Sequence, residues 1–198
     1  MKTVKRIVAV LLAVMLMAPA AVHAAAPSAT KTSIKNKKAT ATVTYNKKTQ
    51  TPTTITINGK KLVVGKDYII VSSKKYKNAG KYILTIEGVG NYRGRTDVVF
   101  TIKKAEQKIK TSTKAKTYKA STIKKKGKKF NLKTKAVSKK VTYKVVGKKS
   151  AKKYIKVSKK GKVTIKKGIK KGTYKIVIKA KATKDHKQGK KVVKITIK

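Results

Sequence analysis

Cysteine is absent from the 198 residues, acidic residues number five against 56 basic ones, and histidine occurs twice. Each shortage removes a class of chemistry. Without cysteine there are no disulfides and no thiolate metal sites. The carboxylates, Asp67, Glu87, Asp97, Glu106 and Asp185, are scattered along the chain. Paired-carboxylate catalysis needs two of them to converge. Calcium needs a cluster of them, in a field less positive than this one. Zinc lacks a ligand set. Beyond the N-terminal leader the only histidine is His186, and its sequence neighbour Asp185 would point elsewhere on a strand, so a Ser-His-Asp arrangement is not expected. His186 reads as a loop residue within 185–189. No catalytic, metal-binding or cofactor-binding residues are expected, and the chain reads as a non-enzyme. A lysine–asparagine cross-link beside an acid, for which Glu87 or Asp97 could serve, is the disfavoured exception.

A second long apolar run is also missing. The first, Ile7 to Met17, follows a basic start (Lys2, Lys5, Arg6) and precedes the small residues 18–26, with Val22-His-Ala24 as a cleavage site. That is the organisation of a signal peptide. Residues 1–24 are therefore expected to be removed, with cleavage after 26 as the alternative, leaving an exported chain without a membrane span. Neither a sorting motif nor a hydrophobic tail is visible at the C-terminus, so secretion or cell-wall association without a covalent anchor is expected.

What the chain has in abundance is alternation. In Gly172-Thr-Tyr-Lys-Ile-Val-Ile-Lys-Ala-Lys181, Tyr174, Ile176, Ile178 and Ala180 alternate with Lys175, Val177, Lys179 and Lys181. Successive side chains of a strand point to opposite faces, so one face can enter a core while the other carries lysine. At helical spacing the same lysines would fall on every side. Similar segments recur from Ala39 onward. Asn58-Gly59, between 53–57 and 61–64, is a strong hairpin signal. Asp67 is expected to cap its own turn. Gly88, Gly90 and Gly94 can supply positive-φ positions in the loop that also holds Asn91 and Tyr92, with Tyr92 plugging one end of the sandwich. That loop leads to a strand, not a helix, so its G-x-G is no phosphate cradle. About six strands precede residue 103 and eight follow residue 107, with no helix beyond the leader. The expected organisation is a polar lead-in (25–38), one β-sandwich module (39–104) and a second, lysine-rich one (105–198).

The first module resembles an immunoglobulin-like repeat of secreted and surface proteins of Gram-positive bacteria. The matching residues are Gly59-Lys-Lys-Leu62, Gly65-Lys-Asp67-Tyr68, Asn78-Ala-Gly80, Gly88-Val-Gly90-Asn91-Tyr92-Arg-Gly94 and Phe100-Thr-Ile102-Lys-Lys-Ala105. Val157-Ser-Lys-Lys-Gly161-Lys-Val163-Thr-Ile165, with Gly172-Thr-Tyr174, is similar to a more divergent bacterial Ig-like module. The resemblance implies two tandem all-β sandwiches used as spacers, stalks or adhesive units, and it implies no catalytic residues.

The charge is concentrated late. Residues 25–104 hold 17 basic and 3 acidic residues; residues 105–198 hold 36 lysines, no arginine and 2 acids. Two like charges ~5 Å apart in water repel by roughly 0.8 kcal/mol before screening. Dozens of such pairs erode a folding free energy of about 5–15 kcal/mol, so anions should stabilise the fold. The expected partners are polyanions: wall teichoic acid, DNA without sequence specificity, or sulfated and sialylated glycans. The lysines expected to reach them lie at turns: Lys124, Lys125, Lys126, Lys128, Lys129, Lys152, Lys153, Lys159, Lys160, Lys166, Lys167, Lys170 and Lys171. Missing arginine argues against base-specific reading. The rival expectation is a specific protein adhesin, or an accessory carbohydrate-binding module, whose lysines are only a solvated surface.

Overall fold

A computed structural model describes residues 30–72, 74–147 and 149–198. The expected signal peptide and its cleavage sites lie outside the described residues. Lys31–Lys198 form one compact unit built around two separate hydrophobic cores. The described residues are all-β apart from two single-turn helices.

The first core is enclosed by β1 (Thr32–Ser33), β2 (Ala39–Thr44), β3 (Thr54–Ile57), β4 (Lys60–Val63), β5 (Tyr68–Ile70), β6 (Gly80–Gly88), β7 (Tyr92–Arg93) and β8 (Arg95–Lys103). Alternation makes the inner face. Ala39 and Ala41, Ile55 and Ile57, Leu84 and Ile86, and Val98, Phe100 and Ile102 are all buried. Hydrogen bonding runs through six strands in the order β4-β3-β2-β8-β6-β5. Just past β4, Val64 bridges to Tyr68 of β5, and buried residues of all six strands meet in a single core. Asn58 and Gly59, both at positive φ (49° and 78°), form the two-residue hairpin between β3 and β4. Asp67 Oδ2 accepts from Val63 N at 2.9 Å and closes the next turn.

Two short strands escape the alternation. β1 and β7 pair in parallel, Thr32 with Tyr92 and Ser33 with Arg93. The stretch read as a polar lead-in thus joins the fold and buries Ile34 in the first core. Two residues are too few for a period-two pattern to register.

The second core lies between two sheets. One has the order β11-β14-β15-β9 and the other β10-β13-β12, built from β9 (Ala115–Tyr118), β10 (Lys128–Asn131), β11 (Val141–Val146), β12 (Ile155–Val157), β13 (Lys162–Ile165), β14 (Gly172–Ala180) and β15 (Gly189–Ile197). Tyr174, Ile176, Ile178 and Ala180 of β14 meet Val193, Ile195 and Ile197 of β15, with Val163 and Ile165 across the core. Full burial of each of these valine and isoleucine side chains contributes roughly 1.5–3 kcal/mol. The segment around Lys108-Ile-Lys110 is not a strand: Ile109 enters the core and Lys110 makes only a two-bond bridge to Lys135.

The expectation of no helix beyond the leader is corrected by α1 (Ala120–Lys125) and α2 (Lys149–Tyr154). Each is a single turn tethered by one buried residue, Ile123 and Ala151. Segments this short have no intrinsic helical stability and span too few residues to show a 3.6-residue period, so tertiary packing holds them.

Asp185 and His186 lie, as expected, in a loop, the one between β14 and β15, and there they form the joint between the two sheet systems. Ala105 N donates to Asp185 O at 3.0 Å and Lys187 N to Ala105 O at 2.8 Å. Asp185 Oδ1 accepts from Ala79 N at 2.8 Å. The buried His186 ring meets Tyr45 edge-on, centroids 5.3 Å apart. Gln107, also buried, donates to Lys181 O and Lys187 O at 2.8 and 2.9 Å and accepts from Ser138 N at 3.1 Å. These bonds satisfy polar groups that would otherwise be costly to bury.

Candidate functional site

Every carboxylate is engaged locally. Glu87 pairs with Arg95 at 2.9 Å and Glu106 with Lys187 at 2.8 Å. Asp97 accepts from the Thr85 hydroxyl, Asp67 from Val63 N, and Asp185 from Ala79 N. Among the described residues of 105–198, Lys187 alone meets a carboxylate within ion-pair distance. The remaining lysine field there is compensated by solvent ions, and any bound polyanion would replace them.

All thirteen turn lysines are exposed except Lys128, which is half-buried. They do not form one site. Lys124 and Lys125 lie in the last turn of α1, where cations complement the carbonyl ends. Lys152 and Lys153 lie in the last turn of α2, with Lys153 Nζ 5.8 Å from the Tyr154 ring centroid. These four are helical, which corrects their expected placement at turns. Lys159 and Lys160 sit in the β12–β13 turn, and Lys170 and Lys171 precede β14.

Five of the thirteen do converge. Lys126, Lys128, Lys129, Lys166 and Lys167 line a groove of about 610 Å³ with Gly127, Thr164 and Ile165. Pairing of β10 with β13 sets Lys128 opposite Ile165 and Lys129 opposite Thr164. Gly127 permits the approach, since a Cβ there would sit 2.5 Å from the Ile165 carbonyl oxygen. The groove can hold anionic groups by charge and by hydrogen bonds from ammonium donors.

Lysines within strands, which alternation disperses along the sequence, form a second cationic surface. The register of β14 with β15 sets Lys175 directly opposite Lys194 and Lys179 opposite Lys190. Lys144 of β11 stands beside Val177, between those two rows. Adjacent lysines in the sequence suggest density at once; alternating ones become dense only after the strands pair.

Beside the first core, a pocket of about 440 Å³ is lined by Thr32, Ser33, Ile34, Asn58, Lys60 and Tyr92, among others. Lys60 Nζ lies 5.5 Å from the centroid of the buried Tyr92 ring. Bonding to the Tyr92 hydroxyl raises the Lys60 pKa above that of an ordinary lysine. Gly90 (φ 59°) and Gly94 (φ 90°) shape the loop around Tyr92. A Cβ on Gly88 would fall 2.9 Å from Arg93 N. Asn91 O receives Thr32 N at 2.9 Å and so anchors β1. Among the described residues no three His, Asp or Glu side chains come together. No helix among them is long and apolar enough to cross a membrane.

No family model matches the chain, and no curated protein does. Among solved structures, Drosophila N-cadherin EC1-3 is similar at a TM-score of 0.38 and 13% identity, covering 80% of this chain and 64% of that one. The extracellular domains 3-5 of Drosophila OTK give 0.37 and 8%, covering 81% and 60%. A candidate alpha-galactosidase of Bacteroides fragilis gives 0.33 and 16%, covering 51% of this chain and 19% of that one. Likenesses this distant assign neither a fold family nor an activity.

Proposed function

We propose that the protein is a secreted, non-enzymatic, Ig-like extracellular component retained on anionic polymers by its second sheet system. The observation that carries the reading is the pairing of 36 lysines with two acids in residues 105–198, both acids being engaged at the joint. Wall teichoic acid, extracellular DNA and sulfated or sialylated glycans share the chemistry that such a surface selects. Association is driven by counterion release, so it is sequence-blind and strongly salt-dependent. A second reading, docking to a protein, is favoured by the outer face of β5, β6 and β8, where Ile69, Ile83 and Val99 are exposed, Ile83 at 57%.

The test is a pull-down of the mature chain with each polymer across a salt series. Engagement of six phosphates gives a log–log slope near roughly −5. Retention that ignores salt would refute the charge-based reading and leave the protein-docking one.

A further inference from the structure

The outer face of β11, β14 and β15 carries five exposed lysines in three rows. Lys175 and Lys194 share the first row, Lys144 stands in the second beside Val177 and Val192, and Lys179 and Lys190 share the third. Rows two residues apart along a strand are separated by about 6.8 Å, and neighbouring strands by about 4.8 Å. Directly opposed like charges destabilise a sheet, yet two such pairs stand on this face, with one row between them. No acidic residue occurs in these strands. At the third row the face runs into a shallow depression of about 520 Å³ that adds Lys140 and Lys181 to Lys179. The sheet therefore holds positive charge in rows about 7 Å apart along the strand axis, the middle charge lying one strand to the side on β11.

From this geometry we propose that the face binds an extended polyglycerol-phosphate chain lying along the strands, a proposal that rests on the polyanion reading above. Six bonds separate successive phosphorus atoms in such a chain. Three backbone bonds of an extended peptide span about 3.3–3.6 Å, so six span about 7 Å, one phosphate per row. Three consecutive phosphates meet three lysine rows in register. Single-stranded nucleic acid shares the six-bond repeat but gains its affinity from bases stacked on aromatic rings. The face offers none: Tyr143 of β11 turns inward against the core, and the side chains between the lysines are Val177, Val192, Val146 and Thr142. Small polyol linkers fit beside those valines and Thr142. The groove at Lys126–Lys129 lacks this periodic spacing and serves as the internal comparison.

The experiment measures binding of purified polyglycerol phosphate, single-stranded DNA of equal phosphate number and heparin across a salt series. It compares wild type with a face variant (Lys175→Gln, Lys190→Gln, Lys194→Gln) and a groove variant (Lys126→Gln, Lys128→Gln, Lys129→Gln) of equal net charge. Three lost contacts flatten the salt slope by about 2 and weaken binding roughly 100-fold at ~0.1 M salt. That loss is expected for the face variant with polyglycerol phosphate, while the groove variant loses less than about tenfold. Thermal melting of both variants establishes that they fold. Equal losses in the two variants, or single-stranded DNA bound more tightly than polyglycerol phosphate, would overturn the face assignment and leave the polyanion reading standing. Failure of wild type to bind any of the three polymers at low salt would overturn both.

Discussion

Replacing Lys194 by glutamate should stabilise the protein, by an amount set by salt. Lys175 lies directly opposite Lys194 in the β14–β15 register, and both are exposed. With the ammonium groups splayed to about 7 Å, their unscreened repulsion in water is about 0.6 kcal/mol. Lys194→Glu turns this repulsion into an attraction of similar size. At about 10 mM salt the Debye length is about 30 Å, most of the interaction survives, and the gain is about 1 kcal/mol. At about 0.15 M it falls to about 0.5 kcal/mol, and at about 1 M it is nearly gone. For a unit of this size 1 kcal/mol corresponds to a Tm change of roughly 2–4 °C. Thermal melts of wild type, Lys194→Gln and Lys194→Glu at the three salt concentrations provide the check. Lys194→Gln should recover about half of the gain, because it removes repulsion without adding attraction. A Lys194→Glu protein that melts below wild type at about 10 mM salt, or whose gain persists at about 1 M, would refute the electrostatic reasoning.

Two further outcomes follow, one from a buried phenol and one from a tight loop. Burial pushes the Tyr68 phenol up to about 12 from its ordinary value of 10, and its hydroxyl donates to Pro52 O at 3.0 Å. Because the folded value lies above the unfolded one, the protonated phenol's contribution is complete below pH 10 and is lost as pH rises from 10 to about 12. Tyr68→Phe should therefore cost about 0.5–1.5 kcal/mol at neutral pH, and its stability gap to wild type should narrow over that alkaline window in denaturant titrations. Gly90→Ala places a Cβ 2.6 Å from the Lys66 carbonyl oxygen at a φ of 59°. It should cost roughly 2–3 kcal/mol, read as a lower denaturant midpoint at unchanged slope.

Strand alternation was legible because burial on one face needs only local spacing: β14 differs from its expected span, 172–181, only at the last residue. Four features were not. β1 and β7 have two residues each, α1 and α2 one turn each, and none offers a period to read. The joint depends on contacts such as Ala79 to Asp185, 106 residues apart, and neither residue carries a local sign of its partner. The lysine rows depend on register, which pairs residues 19 positions apart at Lys175 and Lys194. Runs of consecutive lysines therefore fall at turns and helix ends, while the most regular array lies in strands whose lysines are separated by apolar residues.

The parallel pairings have a mechanical consequence. β2 lies beside β8 over six residue pairs, Ala39 with Val98 through Thr44 with Lys103. β9 lies beside β15 over four, Lys194 with Ala115 through Ile197 with Tyr118. Tension applied along the polypeptide pulls each such couple lengthwise, so its bonds share the load in shear and must break together, whereas a hairpin opened from its tip yields one bond at a time. With fewer bonds sharing the load, the lysine-rich half should rupture at the lower force. Under such a load the half with the shorter parallel couple gives way first and the other half stays intact.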